Sequence, residues 1–154
     1  MENEQITLYP TEDDLYNAFN QVDPPLNPNK LPTIYQIQTA YRKNKKYVAC
    51  RTRMYVKIKN SVGQTVECAC PLAVVALGRG IPGLQLNEDC TERVAGYWSA
   101  QIGYWNASWL FHGIDEEEAI DMEVWQSLTV DQQISYRRGQ EIRQYIEQTV
   151  ECVI

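Results

Sequence analysis

The chain is short of histidine, the commonest general base. It has one histidine and two phenylalanines in 154 residues. Any catalytic base of the usual kind would therefore be His112, and no serine or cysteine stands in a recognisable nucleophile setting around it. At the end of an aromatic segment, His112 is expected to cap the last carbonyls of a helix or to pack on Trp109.

Metal ligands are also incomplete. Cys68 and Cys70 form one close pair, and Cys50, Cys90 and His112 are scattered, whereas zinc sites present two closely spaced pairs. The count of five cysteines is odd. With a polar, acidic start (MENEQITLYPTEDD) that resembles no secretory or transit peptide, free thiols and a cytoplasmic location are expected. No catalytic residue, metal or cofactor is assigned, and the chain is read as a non-enzyme.

Long apolar runs are missing too. Val94–Ile114 lacks Asp, Glu, Lys and Arg, yet its aliphatic side chains larger than Ala are just Val94, Ile102, Leu110 and Ile114. Gln101, Asn106 and His112 would be costly in hydrocarbon, so this is a buried helix and not a membrane span.

The most informative absence concerns charge of one sign. No acidic residue occurs between Asp23 and Glu67, while that interval holds Lys30, Arg42, Lys43, Lys45, Lys46, Arg51, Arg53, Lys57 and Lys59. It carries +9 against −15 for the remainder, within a net charge of −6. Such a split makes a molecular dipole able to steer a partner. The simpler alternative is that the basic segment neutralises acidic helices within the same molecule.

What is present reads as one α+β domain, 1–154, with a tail over 1–10. A first helix runs from Thr11 to Val22. A Pro-rich connection covers 23–33, where proline forbids regular structure. Thr33 to about Lys43 reads as helical, with Ile34, Ile37 and Tyr41 on one side, though partly extended structure fits as well.

The clearest pattern begins at Tyr47. Val48, Cys50, Thr52, Met54, Val56 and Ile58 alternate with Tyr47, Ala49, Arg51, Arg53, Tyr55, Lys57 and Lys59. This predicts a half-buried strand with one apolar and one basic face. NSVG turns the chain into a second strand, QTVECA, making an antiparallel hairpin with Val66, Cys68 and Cys70 inward. A bulge near Thr52 would rotate part of the basic set inward.

Gly78-Arg79-Gly80-Ile81-Pro82-Gly83 matches G-x-G-x-x-G, the dinucleotide fingerprint. That site needs a following helix and further parallel strands, and neither is legible here. Pro71 instead opens a short buried helix that Gly78 or Gly80 ends.

Thr91 or Asp89 caps a long central helix to His112. Val94, Trp98, Ile102, Trp105 and Trp109 form one stripe, and Gly96, Ala100, Gly103, Ala107 and Leu110 a second, mostly small one. Asp115 with Glu118 is read as opening a helix to about Ser127. Thr129 with Gln132 is a capping box for the last helix, striped by Ile142, Tyr145, Ile146, Thr149, Val150 and Val153.

The fold expected is an antiparallel β-hairpin packed against four to five helices, one of them central and aromatic-rich. The function expected is a small acidic interaction protein (regulator, inhibitor or adaptor) that binds a protein partner. Its candidate contact residues are Tyr47, Arg51, Arg53, Tyr55, Lys57 and Lys59. The same face, basic and aromatic, offers nucleic-acid binding as the alternative. A weaker alternative is a small-molecule pocket beside Trp98, Trp105, Trp109 and His112. Complementary patches on one molecule are also compatible with a homodimer.

Overall fold

Proline shapes the first part of the chain in this computed structural model, which describes residues 22–116, 118 and 120–149. The expected tail and first helix lie outside the described residues, as do Val150, Cys152 and Val153. Residues 22–33 run extended apart from a 3-10 turn at Pro28–Lys30. Leu31 is buried within the core, so this connection is part of the packed structure.

The class is α+β: six α-helices and a three-stranded mixed sheet among the described residues. Helix α1, Ile34–Lys43, starts from a complete capping box between Thr33 and Gln36, which satisfies two otherwise unpaired N–H groups. It buries Ile37, Ala40 and Tyr41. Strand β1 is Tyr47–Ala49, β2 is Tyr55–Lys59 and β3 is Thr65–Ala69.

Here the single long strand needs correction. β2 and β3 form the expected antiparallel hairpin, but β1 pairs parallel with the other edge of β3, giving the order β1-β3-β2. Residues Cys50–Met54 therefore wrap around the end of β3. Cys50 N–H donates to Ala69 O at 3.3 Å, and Cys70 N–H donates to Met54 O at 2.9 Å. Within this arch Thr52 adopts φ 65°, unusual for a β-branched residue. Its N–H donates to Asp115 Oδ1 at 2.8 Å, a bond that helps hold that geometry.

The faces are corrected as well. Tyr47, Ala49, Tyr55, Lys57 and Lys59 do share a side with Glu67 and Ala69 through the register. The core packs on half of that side, however: Tyr47 and Tyr55 are 7% and 6% exposed and meet edge to face. Val48, Val56, Ile58 and Val66, expected inward, are half-buried on the opposite side.

Helix α2, Pro71–Gly78, opens on its proline and is buried over its first six residues. The glycine motif follows this helix, the wrong order for a phosphate loop. Gly80 then turns the chain at φ 73°.

The long central helix is two helices. α3 spans Thr91–Ile102, and α4 spans Tyr104–Asp115. Gly103, at φ 97° and ψ 151°, separates them. The cause is Asp23, whose carboxylate accepts from Trp105 N at 3.2 Å and Asn106 N at 2.7 Å, capping α4 from the distant connection. A Cβ on Gly103 would lie 2.5 Å from Asp23 Cγ, so this approach needs glycine. α3 in turn starts after Cys90 with no side-chain cap, so neither Thr91 nor Asp89 serves in that role.

Asp115 ends α4, contrary to its expected place at a helix start. The next helix, α5 (Met122–Ser127), is capped by Asp121, whose Oδ1 accepts from Val124 N at 2.9 Å. α6, Val130–Thr149, begins at the anticipated Thr129–Gln132 box. α4 and α6 cross where Gly113 faces Gly139, so closely that a Cβ on either would strike a backbone carbonyl of the other helix. Packing runs from α1 to α2, α3, α4 and α6 and back to α1, closing a ring around the core.

Candidate functional site

The cations of the 24–66 interval divide by element. Arg42 and Lys43 end α1, Lys45 and Lys46 occupy the turn that follows, and Arg53 lies on the arch. Lys57 and Lys59 lie on β2, and all seven residues are exposed. Lys46 Nζ stands 5.0 Å from the Tyr47 ring centre. Arg51 is different, since its side chain is largely buried, 14% exposed, and reaches Glu147 Oε2 at 3.3 Å. Among the described residues none of the other eight cations in this interval makes an ion pair. Among the described residues, direct ion pairing thus accounts for Arg51 alone in this segment.

Of the six expected contact residues, Arg53, Lys57 and Lys59 are exposed. Tyr47 and Tyr55 are in the core, and Arg51 is committed to Glu147. The Tyr55 hydroxyl donates to Glu67 Oε1 at 2.6 Å; burial, with this carboxylate adjacent, pushes its phenol pKa upward. The interleaved aromatic and cationic surface expected from the alternation is therefore missing its aromatic half.

A residue that the sequence reading passed over completes the basic region. Arg79, the C-cap of α2, places its guanidinium 4.9 Å from the Trp98 ring centre and 5.8 Å from that of Tyr97. It donates to Tyr97 Oη at 2.9 Å and to Gln36 Oε1 at 3.4 Å. A shallow groove of about 210 Å³ runs between α1 and α2, with Tyr35, Thr39, Lys43, Asn44, Val75 and Arg79 along it. Among the described residues no carboxylate lines it. Arg79 was legible only as part of a glycine motif, because its aromatic partners lie on another helix.

Among the described residues, the aromatic side chains occupy separate surroundings. Trp98 is fully buried, and its Nε1 donates to Leu72 O at 3.1 Å. Trp105 lies beside Asp23 in a separate depression with Asn106 and Gln132. Trp109 stacks edge-on with His112 at 5.0 Å and with Tyr136 at 6.0 Å, the packing expected for His112. His112 Nε2 is 3.7 Å from Glu116 Oε1.

Cys50, Cys68, Cys70 and Cys90 are buried free thiols, and burial raises the pKa of both Cys70 and Cys90. Cys70 and Asp115 border a second cavity of about 260 Å³ with Thr52, Met54, Thr91 and Phe111. Burial pushes the Asp115 pKa up, against the lowering effect of the Thr52 N–H bond. Among the described residues, no group of three or more potential ligands is placed to hold a metal, and no helix is long and apolar enough to cross a membrane.

Comparison with known proteins returned no relative: no family model matches the chain, and no curated protein or solved structure matches it significantly.

Proposed function

We propose that this is a non-enzymatic interaction protein whose exposed cations at the end of α1, in the 44–46 turn and on β2 engage an acidic protein partner. One observation carries the reading: among the described residues, a run of cations without intervening carboxylates reaches the surface with only Arg51 ion-paired. Unpaired charge of one sign raises encounter rates with an oppositely charged surface and selects against like-charged ones. Stacking on nucleobases is disfavoured, because Tyr47 and Tyr55 are in the core.

The test is affinity capture by the immobilised chain from native lysate, with and without nuclease, beside the variant Lys43→Glu/Lys45→Glu/Lys46→Glu. A protein retained after nuclease, released by salt of about 0.5 M and not held by the variant is the expected result. Retention of nucleic acid, or of species lost with nuclease, overturns it.

A further inference from the structure

Arg79 is an exposed cation held in one place by neutral partners. Two ring faces, a phenol oxygen and an amide oxygen position its guanidinium, and among the described residues no carboxylate pairs with it. An arginine fixed this way has already lost most of its rotamer freedom, so pairing with a ligand costs little further entropy. Lys43, at the opposite side of the groove, is likewise without an ion pair among the described residues. Arg79 and Lys43 each stand at a helix C-terminus, of α2 and of α1, and each dipole offsets part of the neighbouring charge. The donors that remain point to an anion.

We infer that the groove between α1 and α2 is the docking site for an acidic segment of a protein partner. Arg79 is the anchor for a carboxylate and Lys43 is the second cation. This rests on the interaction reading above and specifies where the partner is gripped. A peptide fits better than a nucleic acid for two reasons. The groove is small, about 210 Å³, with Val75 and Ala40 among its walls, so it suits one or two side chains. Among the described residues, Tyr35 is also the one exposed ring along it, which gives successive bases no stacking platform.

The test is fluorescence anisotropy of a labelled hexaglutamate peptide with the full chain at low salt. Arg79→Gln is expected to weaken binding about tenfold, the scale of one charge-assisted pair. Arg79→Lys should also weaken it although charge is kept, because an ammonium lacks the planar fork. Lys57→Gln/Lys59→Gln should change it by less than about threefold, since those groups act through screened attraction alone. If circular dichroism shows that Arg79→Gln is unfolded, the exposed Lys43→Gln decides.

The inference is overturned if Arg79→Gln, or Lys43→Gln in its place, binds like the parent protein. No binding of hexaglutamate overturns it too, as does tighter binding of a single-stranded oligonucleotide of matched charge. Weakening by Lys45→Gln/Lys46→Gln without any effect of Arg79→Gln removes the groove but leaves the interaction reading standing.

Discussion

Two aspartates far apart in the chain show how much one side chain can decide. Asp23 supplies the cap of α4 from outside the helix, with both carboxylate oxygens engaged at the positive end of the dipole. Asp23→Ala should cost about 1–2 kcal/mol, as loss of a good N-cap does, read as a lower midpoint in urea denaturation. Asp115 works in the opposite sense. Its folded pKa is raised above the ordinary 3.8 by burial, so the folded state holds its proton more tightly than the unfolded chain. The stability it contributes is fully present below pH 3.8 and is lost as pH rises through the folded pKa. Asp115→Asn keeps an oxygen for the Thr52 N–H but cannot ionise. The stability difference between variant and parent should therefore grow in favour of the variant as pH rises above 3.8, measured by urea melts across that range.

At the scale of elements, the α4–α6 crossing depends on two glycines without side chains. A Cβ at Gly113 would meet Tyr136 O, and one at Gly139 would meet Leu110 O. Alanine favours a helix over glycine by about 1 kcal/mol, but overpacking costs about 1–3 kcal/mol. Gly113→Ala should thus be destabilising overall. Gly78→Ala, where nothing lies within 4 Å of the added carbon, should be neutral or slightly stabilising. Thermal melts of the two variants side by side check the contrast. Opposite signs would mark the crossing as tight; equal signs would show that the helices can move apart.

These elements also show what could be read in advance. The boxes at Thr33–Gln36 and Thr129–Gln132 were legible because capping is local. So were the α+β class, the Pro71 helix and the β2–β3 hairpin. The break at Gly103 was not, because its cause, Asp23, lies some eighty positions earlier. Alternation from Tyr47 to Lys59 was real, but it is the same whether the chain runs straight or arches around another strand. β3 was inserted between the two halves, and the tyrosines went to the core while Lys57 and Lys59 stayed outside. Of the candidate contact surface, the charge was legible and the aromatic component was misplaced. Arg79 needed the fold to bring α2 against Trp98.

For the whole molecule, the extended connection 22–33 has a bearing on how the chain comes together in time. It is tied down by Asp23 to α4, by the Leu26 N–H to Asp131 Oδ2 at 3.0 Å, and by Arg138 Nη1 to Pro32 O at 2.9 Å. The last two bonds join residues 105 and 106 positions apart. Contacts of such separation are slow to form, because loop closure must precede any gain from them. On the ribosome, the bonds of Leu26 and Pro32 must wait until α6 has been made. Closure of the helical ring awaits the same helix, so a nascent chain stalled before Asp131 would hold its proline segment by Asp23 alone.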